Sequence, residues 1–199
     1  MGKLMAGFLF LFLSFNLNLG ESVSINLLPE FVGFLFLCAG FTELCDESPR
    51  FMKLRPICVA MAIAHGILWF GNLFGLAAYF LSTPIGFVFT IALTIVTYVV
   101  TYQVIAGIAD IEDANAFDIG SNRLKTIWWG LVVTHAVAYV AAIVPWIILM
   151  VLTLIVVTIL MIGFLIAFHD TKKQYEAMKE IKMKEKLRAL DMAQEHTEN

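Results

Sequence analysis

Residues 55–72, RPICVAMAIAHGILWFGN, place a cation at the head of an apolar run and one titratable side chain, His65, ten positions further on. Residues 125–142, KTIWWGLVVTHAVAYVAA, repeat the arrangement with Lys125 and His135. Beyond its first residue neither run contains an Asp, Glu, Lys or Arg. Crossing the ~30 Å hydrocarbon layer of a bilayer takes about 20 helical residues, so runs of this length suit a membrane. The rest of the chain has the same character: 60% of its 199 residues are apolar, 15% are charged, and the mean hydropathy is +0.86. A soluble domain carries about 25% charged residues. The chain therefore reads as an integral membrane protein with one transmembrane domain, residues 1–169, and a charged tail, residues 170–199.

Six apolar segments stand out, at about 4–19, 25–44, 56–80, 85–108, 126–144 and 146–168. Within hydrocarbon only a helix satisfies its own backbone groups, so each is a predicted helix. The expected fold is all-α: a six-helix transmembrane bundle of three hairpins, followed by a helical cytoplasmic tail. Connections at residues 20–24, 82–84 and the Pro145 corner are short, whereas 45–55 and 109–125 are longer. Lys and Arg set orientation. Lys3 precedes the first helix, Arg50, Lys53 and Arg55 follow the second, Arg123 and Lys125 follow the fourth, and seven more lie between Lys172 and Arg188. All 13 basic residues then share one side when both termini are cytoplasmic, as expected of a multi-pass plasma-membrane protein. Trp128 and Trp129 at one edge, and Tyr79, Phe80 and Trp146 at the other, suit interfacial belts.

The first segment spans only ~24 Å at 1.5 Å per residue, with Asn16 and Asn18 already at its outer edge. Retention in a locally thinned bilayer is expected, rather than cleavage as a signal peptide at Ser22-Val-Ser24. The second helix opens at Pro29-Glu30. There the missing proline N–H goes unneeded and the carboxylate complements the helix dipole, so Glu30 reads as a helix-start residue. Gly33 and Gly40 form a smooth stripe suited to close helix contact. Cys38, Cys45 and Cys58 form no disulfide framework.

Residues 15–40, FNLNLGESVSINLLPEFVGFLFLCAG, resemble the N-terminal signature of a group of small uncharacterised multi-span membrane proteins of low-GC Gram-positive bacteria. In that group an Asn-containing short first helix precedes an N-x-L-P-(D/E)-F-x-G-(Y/F) start to the second. The resemblance implies a bacterial plasma-membrane location and carries no activity.

Ten helical residues rise ~15 Å, which sets His65 and His135 at similar depth near the midplane. Trp69 and Tyr139 follow them one turn on, and Asn72 lies on the His65 face at i+7. Thr90, Thr94, Thr97 and Thr101 share one face of the fourth helix, joined by Tyr98. Ionisable and polar groups at membrane depth face the protein interior or a water-filled cavity. The binding or path-lining candidates are therefore His65, Trp69, Asn72, Thr90, Thr94, Thr97, Tyr98, Thr101, His135 and Tyr139. The bland reading of the same residues is packing, with each Thr hydroxyl bonded to the preceding turn.

Cys58 and Met61, before His65, read as apolar filler rather than metal ligands. The 109–125 loop reads as solvated acid without the spacing of a calcium loop. No H-E-x-x-H, G-x-S-x-G or phosphate-cradling glycine loop is present, so no enzyme activity, catalytic residue, cofactor or nucleic-acid partner is expected. The tail from Lys172 to Arg188 carries seven basic and three acidic residues and suits anionic lipid.

Two functional expectations follow: a small transporter or channel-like protein, assembled alone or as a homo-oligomer, or an accessory or scaffold protein for a larger membrane partner. The orientation has a direct check. Reporter domains fused to either terminus should both read as cytoplasmic, and signals from opposite faces of the membrane would refute the charge assignment.

Overall fold

The structure, a computed structural model, describes residues 1–13, 16–18, 24–26, 28–143 and 146–198, without the side chains of 16–18, 24–26, 78, 142, 193 and 195–198. Its elements are α1 (Gly2–Phe12), β1 (Asn16–Asn18), β2 (Ser24–Asn26), α2 (Glu30–Leu44), α3 (Pro49–Leu73), α4 (Leu76–Leu81), α5 (Pro84–Asn115), α6 (Ser121–Ile143) and α7 (Ile147–Glu198). Helix dominates. Four of the helices (α3, α5, α6 and α7) are long and apolar enough to cross a membrane.

The helices form a closed ring. Helix α1 packs on α2, α2 on α3, α3 on α5, α5 on α6 and α6 on α7, and α7 returns to α1. Ion pairs fix the alternation of direction: Lys3–Glu43 at 2.6 Å, Arg50–Asp110 at 2.7 Å, Arg123–Asp170 at 2.9 Å and Lys179–Glu47 at 3.1 Å. Together they gather the start of α1, the α2–α3 turn, the end of α5, the start of α6 and the middle of α7 at one end. Exposed pairs contribute at most about 1 kcal/mol each, so their value lies in registration. The Lys3 ammonium, hydrogen-bonded to Glu43, holds that carboxyl below its usual range.

Packing is polarised along the ring axis. The fully buried large side chains (Leu4, Phe8, Phe34, Phe41, Phe51, Ile108, Phe164 and Phe168) concentrate toward the basic end. Toward the other end large apolar side chains face outward, among them Ile67, Phe74 and Ile148, the last 86% exposed. In hydrocarbon such a surface is at ease. The α1–α2 seam depends on small residues: a Cβ on Gly7 would lie 2.9 Å from the Gly33 carbonyl oxygen, and one on Gly40 would lie 2.5 Å from Leu4 Cδ2.

Several boundaries differ from the sequence reading, each for a local reason. Six full-length spans are expected, but α1 has 11 residues and α2 has 15, about 16 and 22 Å at 1.5 Å per residue. Helix α1 does not run to residue 19. The polar–apolar–polar alternation of Asn16–Asn18 and Ser24–Asn26 pairs instead as an antiparallel ribbon, Asn16 opposite Asn26. The proposed cleavage site and the 20–24 turn lie largely outside the described residues, as does the Pro145 corner. Helix α2 starts at Glu30, not 25, because Pro29 takes the extended N-cap position (ψ 129°) and disfavours helix before it.

Helix α3 starts at Pro49, not 56. Ser48 caps it by accepting from the Arg50 N–H, and Pro56 is absorbed inside. It ends at Leu73, where Gly75 takes a positive φ of 70°, so the predicted 56–80 helix is broken and α4 is a separate short turn. Helix α5, expected at about 85–108, starts at Pro84 behind a Thr83 cap and runs on to Asn115. The supposed acidic loop is thus mostly helix, and its acids are employed: Asp110 accepts from Ser48 Oγ and Arg50 Nε, both at 2.7 Å. Glu112 accepts the Ile119 and Ser121 N–H groups at 2.8 Å, and also the Ser121 hydroxyl. That carboxylate caps α6, which accordingly begins at Ser121, not 126. Helix α7 continues without a break into the tail.

Three substitutions test these contacts by thermal unfolding of the purified full chain in detergent. Gly40→Val should cost about 1–3 kcal/mol by overpacking the α1–α2 seam. Gly163→Ala, where a Cβ meets nothing within 4 Å, should be neutral or add up to ~1 kcal/mol. Glu112→Ala should cost about 1–3 kcal/mol by leaving buried donors unpaired.

Candidate functional site

Above the aromatic packing, the ring lines a half-open cavity of about 910 Å³. Eight of the ten sequence candidates line it: His65, Trp69 and Asn72 from α3, Thr90, Thr94, Thr97 and Tyr98 from α5, and His135 from α6. Helix α5 packs against both histidine helices, which do not touch each other, so its hydroxyl face spans the gap between them. Thr101 is elsewhere. It is buried in the packed half, and its hydroxyl donates to the Thr97 carbonyl at 2.8 Å. Tyr139 is not part of the lining but donates to Thr94 Oγ1 at 2.9 Å.

A residue read as a helix start belongs to this site. Glu30, at the first turn of α2, lines the cavity, and its Oε2 lies 2.7 Å from His65 Nδ1. Against an ionised Glu30, Nδ1 carries a proton and donates to the carboxylate in either charge state of the ring. His65 Nε2 is buried and has no hydrogen-bond partner among the described residues. The imidazole is mostly covered, at 13% exposed, whereas Glu30 keeps 38%. Phe34 supports the ring from α2, with centroids 5.2 Å apart. Neither histidine helix contains a carboxylate within its span, and 35 residues separate Glu30 from His65. No local spacing signals the pair.

His135 is held differently. Its Nδ1 lies 2.7 Å from Tyr98 Oη and 3.2 Å from the Leu131 carbonyl. The shorter contact fits the phenol donating to a neutral ring, which places the imidazole proton on Nε2. Protonation at Nδ1 would turn that nitrogen into a donor toward the Leu131 carbonyl. Trp128 steadies Tyr98 by donating from Nε1 to its backbone carbonyl at 3.1 Å.

The threonines satisfy two demands at once. Thr90 donates to Gly86 O at 3.0 Å, Thr94 to Thr90 O at 3.0 Å and Thr97 to Leu93 O at 2.9 Å. Back-bonding uses up each O–H and leaves the oxygen lone pairs facing outward. Packing and lining are thus not alternatives here.

Apart from Thr158 the remaining wall is apolar, with Leu68, Leu93, Val157, Met161 and Ile162 among its residues, and among the described residues no Lys or Arg reaches it. Among the described residues no cluster of His, Cys, Asp and Glu has the size of a metal site. The arrangement can hold and exchange a proton at Glu30–His65, relay one at Tyr98–His135, and surround a small solute with acceptors and hydrocarbon. Compared with known proteins, the chain matches no family model, no curated protein and no solved structure.

Proposed function

We propose that the protein is a small transporter or channel-like protein of a bacterial plasma membrane, non-enzymatic and with both termini cytoplasmic. One observation carries the reading: two histidines, a carboxylate and a stripe of hydroxyls line a single cavity inside a ring of apolar helices. Ionisable groups are costly at membrane depth, and those retained there commonly lie on solute or proton paths. In this reading α1, α2 and the ribbon complete the wall beside the four long helices. The packed aromatic end closes the path on the cytoplasmic side, and a moving solute requires that seal to open.

A second reading, an accessory or scaffold protein, has its own support. Ile181, Met183, Leu187, Leu190 and Met192 are all about half exposed or more on the projecting part of α7, where a larger membrane partner or a second copy would find contacts. Anionic lipid is a further partner for residues 172–188, although Lys172, Lys179 and Lys184 are already ion-paired within the chain.

The two readings separate in vesicles. Purified full-length protein reconstituted with the pH dye pyranine inside should dissipate an imposed pH gradient. The His65→Ala/His135→Ala double variant, with an unchanged unfolding midpoint, should do so at least about ten-fold more slowly, since positioned proton-transfer groups contribute on that scale or above. Wild-type flux equal to that of empty vesicles, or equal flux in the double variant, sinks the transport reading.

A further inference from the structure

From the hydrogen-bond economy of this cavity, we infer that its ligand is a protonated amine with an apolar body, held by Glu30 in competition with a proton. The inference rests on the cavity reading above and names the chemical class that the cavity takes.

Most polar groups on the wall are acceptors, the donors being the Asn72 amide and the His135 Nε2–H. Thr90, Thr94 and Thr97 spend their hydroxyl protons on backbone carbonyls, and Tyr139 donates to Thr94 from behind. Tyr98 spends its proton on His135. His65 spends its Nδ1 proton on Glu30, which in the neutral ring leaves Nε2 a buried lone pair without a partner among the described residues. Glu30 is itself acceptor-only when ionised and retains lone pairs beyond the one that faces His65.

A ligand that brings only acceptors would meet lone pairs at Glu30 and along the threonine face, and would find donors at Asn72 and His135. A ligand that brings several N–H donors and a positive charge meets complementary groups, and its bond to Glu30 is charge-assisted. The absence of Lys and Arg among the described wall residues removes the groups that would hold an anion. Aliphatic side chains from α3, α5 and α7 accommodate a hydrocarbon body, and Trp69 adds an aromatic wall for the cation.

Among the described residues, few titratable groups face Glu30 across the cavity. Helix α3 contributes His65, α5 contributes Tyr98 and α6 contributes His135. The lining residues of α1, α4 and α7 (Leu11 and Phe12, Leu81, and Leu154 through Ile162) contribute none. A proton added to the Glu30–His65 pair, on the carboxylate or on Nε2, cancels the net negative charge that the ammonium needs. Proton and amine therefore exclude each other at this pair, and such exclusion is what proton-for-cation exchange requires.

The test is equilibrium binding to the full chain in detergent, with three probes of one length: hexylammonium, hexanol and hexanoate. Hexylammonium should bind most tightly, hexanol about ten-fold more weakly and hexanoate not detectably, a ten-fold step being the scale of one charge-assisted hydrogen bond. Hexylammonium affinity should fall as the pH is lowered. Glu30→Gln should reduce hexylammonium affinity to that of hexanol while leaving hexanol binding unchanged, which also shows that the variant keeps its cavity.

Hexanoate binding as tightly as hexylammonium, or Glu30→Gln leaving hexylammonium binding intact, overturns the proposal. If the variant loses hexanol as well, the ranking of the three probes on the unaltered chain decides alone. Glu30-dependent amine binding without histidine-dependent flux would leave this site standing and remove transport. Histidine-dependent flux with no preference for the ammonium would do the reverse.

Discussion

The ring stands on the contact that closes it. Phe8 of α1 meets Phe164 and Phe168 of α7 at centroid distances of 5.3 and 5.0 Å, edge to face. Phe12 extends the cluster to Phe164 at 5.3 Å. Aromatic pairs in this geometry contribute about 0.5–1.5 kcal/mol beyond the burial of their area, and inside a membrane, where apolar burial gives little, such specific packing counts for more. Without that seam α1 would be attached to α2 alone, and the six-membered circuit would be an open sheet of helices. The cavity exists because the circuit is closed, and it is confined to one half because the same aromatic cluster fills the other.

The α1–α2 pair supports this closure from the outside of the seam. Glycines at positions 7, 33 and 40 let the two short helices approach until backbone meets backbone. Another side of α2 packs on α3, where Glu30 in its first turn meets His65. One short helix thus carries both glycines of the seam, Gly33 and Gly40, and the carboxylate of the cavity.

Much of this was legible in the chain and some was not, for identifiable reasons. Thr83-Pro84 announces a helix start through a capping hydroxyl and a proline without an N–H, and α5 begins there. The depth argument for His65 and His135 needs only the helical rise, and both residues reach the same cavity. Gly33 and Gly40 announce close approach, and Leu4 and Gly7 supply the partner surface. By contrast, Glu30–His65 and Tyr98–His135 are tertiary pairs between separate helices, and no periodicity points from one member to the other. The extension of α5 through Asp110 and Glu112 was concealed by composition. Five polar residues within nine positions, Asp110 to Asp118, look like loop until Arg50 and the start of α6 are found to be using their oxygens. The ribbon after α1 was concealed by hydrophobicity, which treats Asn16-Leu17-Asn18 as the fringe of a span and overlooks its two-residue alternation.

Helix α7 is one continuous rod of 52 residues, about 78 Å at 1.5 Å per residue. From Phe164 to Asn199 the sequence contains neither Gly nor Pro, the residues at which helices usually bend. Its upper part carries Val157 and Met161 on the cavity wall, its middle carries the phenylalanines of the closing seam, and its lower third stands clear of the bundle. Gly163 separates the cavity-lining turns from that stretch without Gly or Pro, so bending of the rod has its natural place there. Below it the phenylalanines of the closing seam and the lower third of α7 shift together as one piece.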